Sequence, residues 1–134
     1  MDSGVGGVFV PACSAPRAFS TAARLRSVAY ALRGVRTVVA SQHNAWIHAL
    51  ATAAVVTAGV ALGLSRFEWL ALVFAVVSVW AAEALNTAFE LLCDVASPDY
   101  HPLVARAKDV AAGAVLICAA GALIVAGFVF LPYL

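Results

Sequence analysis

The pattern of apolar and polar positions divides the chain into a mixed amino-terminal stretch and three long apolar runs. From Asn44 to Leu64 the sequence is nearly all Ala, Val, Leu and Thr. Its roughly 21 residues are enough to cross about 30 Å of hydrocarbon as a helix. Gly63-Leu64-Ser65-Arg66-Phe67-Glu68 leaves room only for a tight turn, so the next helix returns antiparallel. That second helix is predicted over 67–95, about 43 Å long, with an apolar body and a carboxylate-bearing end reaching the membrane face. Ser97-Pro98 interrupts it. A polar link leads to a third span over about 106–131, uncharged from Val110 onward.

Upstream, over 17–42, arginines alternate with Phe19, Leu25, Val28, Tyr30, Leu32, Val35 and Val38. This pattern suits an amphipathic helix lying along the membrane surface. Residues 1–16 are rich in Gly, Ser and Pro and lack Lys and Arg. They predict a flexible tail and do not have the basic start of a secretory signal. The reading is an all-α membrane protein, a surface helix plus three spans, with 17–134 forming one domain.

Composition strengthens the bilayer assignment. Of 134 residues, 64% are hydrophobic and 11% charged, outside the range of ordinary soluble domains. A net charge of +1 excludes nucleic acid as the main partner, which would need a dense basic field; the arginines suit anionic headgroups. Cys13, Cys93 and Cys118 have no C-x-x-C spacing, so neither a zinc site nor a disulfide framework is indicated. Arg24, Arg26, Arg33, Arg36, Arg106 and Lys108 flank one side of the spans and Arg66 the other. This asymmetry predicts a cytoplasmic amino terminus and second loop, on the side where ATP is available.

The candidate chemistry lies in Glu83-Ala-Leu-Asn86-Thr87-Ala-Phe-Glu90-Leu-Leu-Cys-Asp94. At about 100° per residue, Asn86, Glu90 and Asp94 fall near −60°, −20° and +20° of Glu83, on one face. Clustered carboxylates at membrane depth are costly unless paired or bound to an ion. One reading pairs Glu90 and Asp94 with Lys108 and Arg106, locking two helix ends of a non-catalytic scaffold. The other makes the stripe a Mg²⁺ and phosphate site with a general base.

The string Glu83-x-x-Asn86-Thr87-Ala88-x-Glu90-x-x-x-Asp94, followed by Tyr100-His101-Pro102-Leu103 and Ala107-Lys108-Asp109-x-x-Ala112-Gly113, resembles the signature of the prokaryotic diacylglycerol kinase and undecaprenol kinase family. Tyr30-Ala-Leu-Arg-Gly34-Val-Arg36 and Asn44-x-x-Ile47-His48 match its amino-terminal pattern, so the resemblance covers about 19–132. It implies a homotrimeric lipid kinase of the bacterial cytoplasmic membrane, with cytoplasmic active sites shared between chains.

By the same resemblance, Glu83 is the general base toward a lipid hydroxyl and Asn86 positions it. Glu90 is a metal ligand near the phosphates. Lys108 and Asp109 contact ATP, and Tyr30, Asp99, Tyr100 and His101 its adenosine end. Asp94 supports the site. Gln42 stands where the family's well-studied members have a second metal-binding glutamate, leaving Asp109 to compensate. The Asp94–Leu103 loop and the Phe130–Leu134 end look more like the undecaprenol kinase branch, with diacylglycerol the alternative substrate. No G-x-x-x-x-G-K-[ST] phosphate loop occurs.

Smaller signals have structural readings. His43 and His48 read as hydrogen-bonded structural residues, Trp46 and Trp69 as interface anchors, and Trp80 as packing. Gly59, Gly63, Gly121 and Gly127 read as sites of close helix approach.

Overall fold

A computed structural model describes residues 20–41 and 43–134. The tail over 1–16, Cys13, Gln42 and the side chain of His43 lie outside what is described. The rest is helical: α1 (Thr21–Ser41), α2 (His43–Leu62), α3 (Arg66–Ala96) and α4 (Pro102–Phe130), with a closing 3-10 turn at Leu131–Tyr133. Three of these, α2, α3 and α4, are long and apolar enough to cross a membrane. At 31 residues, α3 is about 46 Å long and exceeds a typical hydrocarbon core.

The α2–α3 turn is built from local chemistry. Gly63 ends α2 at φ 67°, a left-handed conformation that glycine adopts without a Cβ penalty. The Leu64 N–H donates back to the Gly59 carbonyl at 3.2 Å, closing the helix end. Ser65 then caps α3 reciprocally: its hydroxyl accepts from Glu68 N at 3.4 Å, and Glu68 Oε2 accepts from Ser65 N at 2.7 Å. Two amides that the first turn would leave unpaired are thereby satisfied.

The glycines divide in function. A Cβ at Gly59 would meet Trp69 Cη2 at 2.9 Å and Leu64 Cδ1 at 3.0 Å, so close approach is its role, and Trp69 packs against it. Gly63 is a turn residue rather than a packing residue. Gly121 and Gly127 have no neighbouring atom within 4 Å of an added Cβ, so within one chain they mark no close approach.

α4 packs chiefly on α3. Its first turn begins at Pro102, upstream of the start predicted near 106, because His101 Nδ1 accepts from Leu103 N at 3.2 Å and caps the helix. Proline in the first turn needs no amide partner. Leu64, Leu72 and Val129 form a small core at the turn end, flanked by Trp69, Val55 and Phe130. Here the Tyr133 hydroxyl donates to the Glu68 carboxylate at 3.1 Å, tying the carboxyl terminus to the start of α3. Elsewhere the apolar side chains face outward: Phe74 is 77% and Leu123 75% exposed. In water such surface would drive association; in a bilayer it is the surface lipid or a partner covers.

Candidate functional site

The polar site is buried where α2, α3 and α4 meet. Glu83, Asn86 and Thr87 are the buried polar side chains among the described residues, at 1%, 6% and 2% exposure. Thr87 is satisfied through its hydroxyl, which donates to the Glu83 carbonyl at 2.9 Å. Glu83 is different: neither carboxylate oxygen has a hydrogen-bond partner, and neither does Asn86 Oδ1. Burying such atoms unpaired costs free energy, and orphaned groups of this kind in a native fold point to a ligand or a chemical role.

These atoms border a cavity of about 210 Å³ lined by Asn44, His48, Glu83, Asn86, Ala112 and Val115 among others. The polar groups come from α2 and α3, and α4 contributes an apolar wall. His48 Nε2 lies 3.9 Å from Glu83 Oε2, at ion-pair distance but beyond a hydrogen bond.

One helical turn further, Asn86 Nδ2 donates to Glu90 Oε1 at 3.1 Å. A turn beyond that, the Lys108 ammonium donates to Asp94 Oδ1 at 2.5 Å. The predicted acidic face therefore exists: Glu90 is bonded by an amide and Asp94 by an ammonium, while Glu83 faces an imidazole without a hydrogen bond to it. The expected pairing of Lys108 with the stripe is present, whereas Arg106 forms no ion pair among the described residues and lines an apolar groove of about 860 Å³ between α3 and α4, together with Asn86 and Phe89.

The remaining candidates lie on the α3–α4 link, on α4 and on α1. Asp99, Tyr100 and His101 form the exposed α3–α4 link, held in part by the Ser97 hydroxyl donating to the Asp99 carbonyl at 3.0 Å. Asp109 is exposed on α4. Tyr30 is exposed on α1, with the Arg33 guanidinium over its ring at 4.6 Å. Among the described residues no three His, Cys, Asp or Glu side chains converge as a metal cage. Mg²⁺ does not require one, since it commonly binds one or two carboxylates together with substrate phosphates.

Three contributors carry little signal in the sequence. His48, whose pattern suggests a structural residue, faces Glu83. Thr52 and Trp80 support it from opposite helices, the Trp80 indole donating to Thr52 Oγ1 at 3.2 Å. The available signal was the Asn44-x-x-x-His48 spacing, polar residues one turn apart opening an otherwise apolar span.

Fold and site together define a three-span helical membrane protein with an acidic site sunk between its spans. The family model described as prokaryotic diacylglycerol kinase matches residues 29–130. An undecaprenol kinase of Bacillus subtilis is 36% identical over 109 residues, which cover 81% of this chain and 89% of that protein. A diacylglycerol kinase of Synechocystis is 41% identical over 109 residues, covering 81% of this chain and 62% of that relative. The chain belongs to the prokaryotic diacylglycerol kinase family. It is a lipid kinase, and membership implies ATP as phosphoryl donor and a lipid acceptor.

Proposed function

We propose that this enzyme phosphorylates undecaprenol, using ATP, at the cytoplasmic face of a bacterial inner membrane. The observation that carries the site assignment is the buried Glu83 carboxylate with both oxygens unpaired beside a cavity. A general base needs such a group within reach of the proton it removes. The choice of undecaprenol is supported by the 89% coverage of the Bacillus relative against 62% of the Synechocystis one. Diacylglycerol is the alternative, supported by the higher identity to the latter.

In this reading the lipid hydroxyl enters the cavity beside Glu83. Its O–H bond breaks, the proton passes to the carboxylate, and the freed electron pair attacks the γ-phosphorus of ATP while the bond to the ADP oxygen breaks. Phosphoryl transfer asks the protein mainly for positioning and charge stabilisation. Asn86, one turn along α3 from the base, holds Glu90 through its amide N–H and keeps its Oδ1 unbonded beside the same cavity, where it would help position the lipid hydroxyl. Glu90 would hold Mg²⁺ with Asp109 and the Gln42 amide oxygen as further ligands, and the ion would neutralise phosphate charge. Lys108, held by Asp94 in a solvent-screened pair of small net strength, is free to turn toward an arriving phosphate. Asp99, Tyr100, His101 and Tyr30 contact the adenosine end. The arginine asymmetry supports the orientation, and the uncovered apolar faces support a homotrimer with shared sites.

The test is transfer of label from γ-labelled ATP in mixed micelles with Mg²⁺, offering undecaprenol and diacylglycerol side by side. Excess undecaprenyl phosphate is expected. A diacylglycerol preference would reverse the assignment.

A further inference from the structure

His48 is placed with more care than a space-filling residue requires. It rises from α2 with its side chain 15% exposed and Nε2 3.9 Å from Glu83 Oε2. Its ring meets that of Trp80 edge-on, centroids 6.4 Å apart and planes at 67°. Trp80 in turn donates its indole N–H to Thr52 Oγ1 at 3.2 Å, and the Thr52 hydroxyl donates to the His48 carbonyl at 2.7 Å. Both the backbone and the ring of His48 are thus tied to a side chain of α3, the helix that carries Glu83.

Among the described residues, His48 is the basic side chain that comes within ion-pair distance of the carboxylate. Around the cavity α3 adds Asn86, which gives one amide N–H to Glu90, and α2 adds the exposed Asn44. From α4 come only Ala112, Val115, Leu116 and Ala119. A base with two unbonded oxygens in such a site is free to rotate, and misplacement of a reacting atom by about 1 Å can cost about 100-fold in rate. One oxygen has to be held for the other to be aimed. The imidazole needs to close by only about 1 Å to reach hydrogen-bond distance, and such bonds are commonly long until substrate is bound.

We propose that His48 is the positioning residue of the base: its Nε2–H, anchored by Trp80 and Thr52, holds Glu83 Oε2 and leaves Oε1 directed at the lipid hydroxyl. This rests on the reading of Glu83 as the base. His48 keeps its proton throughout; the lipid proton goes to Oε1, and the electron pair left on the lipid oxygen forms the new bond to phosphorus.

The experiment measures kcat and KM for ATP and for the lipid alcohol in the full chain in mixed micelles, comparing H48L, H48F, H48Q, E83Q and H48L/E83Q, each first checked for helicity and monodispersity. H48L, or H48F should the leucine variant not fold, is expected to lower kcat roughly 10- to 100-fold with both KM values unchanged. H48Q, which restores an N–H donor, recovers part of that loss. In the E83Q background H48L causes no further drop, because the group it positions is gone. The inference is overturned by wild-type turnover in H48L or H48F, by H48Q falling as low as H48L, or by H48L lowering E83Q by the same factor as the wild type. Normal turnover in E83Q would instead remove the base itself, a distinct failure visible without any His48 variant.

Discussion

Glu83 is the proposed general base, and its burial is what supports that reading. A carboxylate at 1% exposure without hydrogen bonds to either oxygen destabilises the fold relative to a neutral or bonded group. Glu83→Gln should therefore leave the protein folded and at least as stable, while phosphorylation falls at least about 100-fold as a general base is lost. Circular dichroism in micelles alongside the labelled-ATP assay checks both halves; normal turnover would end the base assignment. Sequence showed that Glu83, Asn86, Glu90 and Asp94 share a face, because helical periodicity alone dictates it. It did not show that Glu83 faces His48 while Asp94 takes Lys108. That depends on where α2 and α4 lie against the stripe, which is a matter of packing between residues 35 or 14 apart in the chain.

At the scale of elements, the boundaries follow from caps. Ser65 and Glu68 start α3 by reciprocal bonding, and His101 with Pro102 starts α4 before the apolar run begins. Ser65→Ala removes the hydroxyl acceptor and should cost about 1 kcal/mol, read as a lowered thermal midpoint in detergent. The rate per folded molecule should be unchanged, since this turn lies at the Tyr133 end of α3, away from Glu83. The apolar runs were plain in the sequence because a bilayer requires every backbone group in a span to bond within its own helix. The early start of α4 was not, because a histidine cap carries a weaker sequence signature than Ser, Thr, Asp or Asn.

For the whole molecule, one chain leaves extensive apolar surface uncovered by its own side chains. The groove of about 860 Å³ between α3 and α4 and the exposed Leu, Val and Phe side chains along the spans fit neighbouring helices as well as lipid tails. Sedimentation with detergent mass subtracted should find three copies of the 13.8 kDa chain. A single copy would overturn the homotrimer and leave those faces to lipid alone.

Sequence by itself determined the class: the number of spans, the acidic face of α3 and the family signature are local or periodic properties that survive without coordinates. Tertiary structure decided which polar atoms are buried and which are paired. Burial and pairing arise between helices, and no spacing along one helix encodes them. Thus His48, separated from Glu83 in sequence by a whole hairpin, became visible as its neighbour only when α2 was laid against α3.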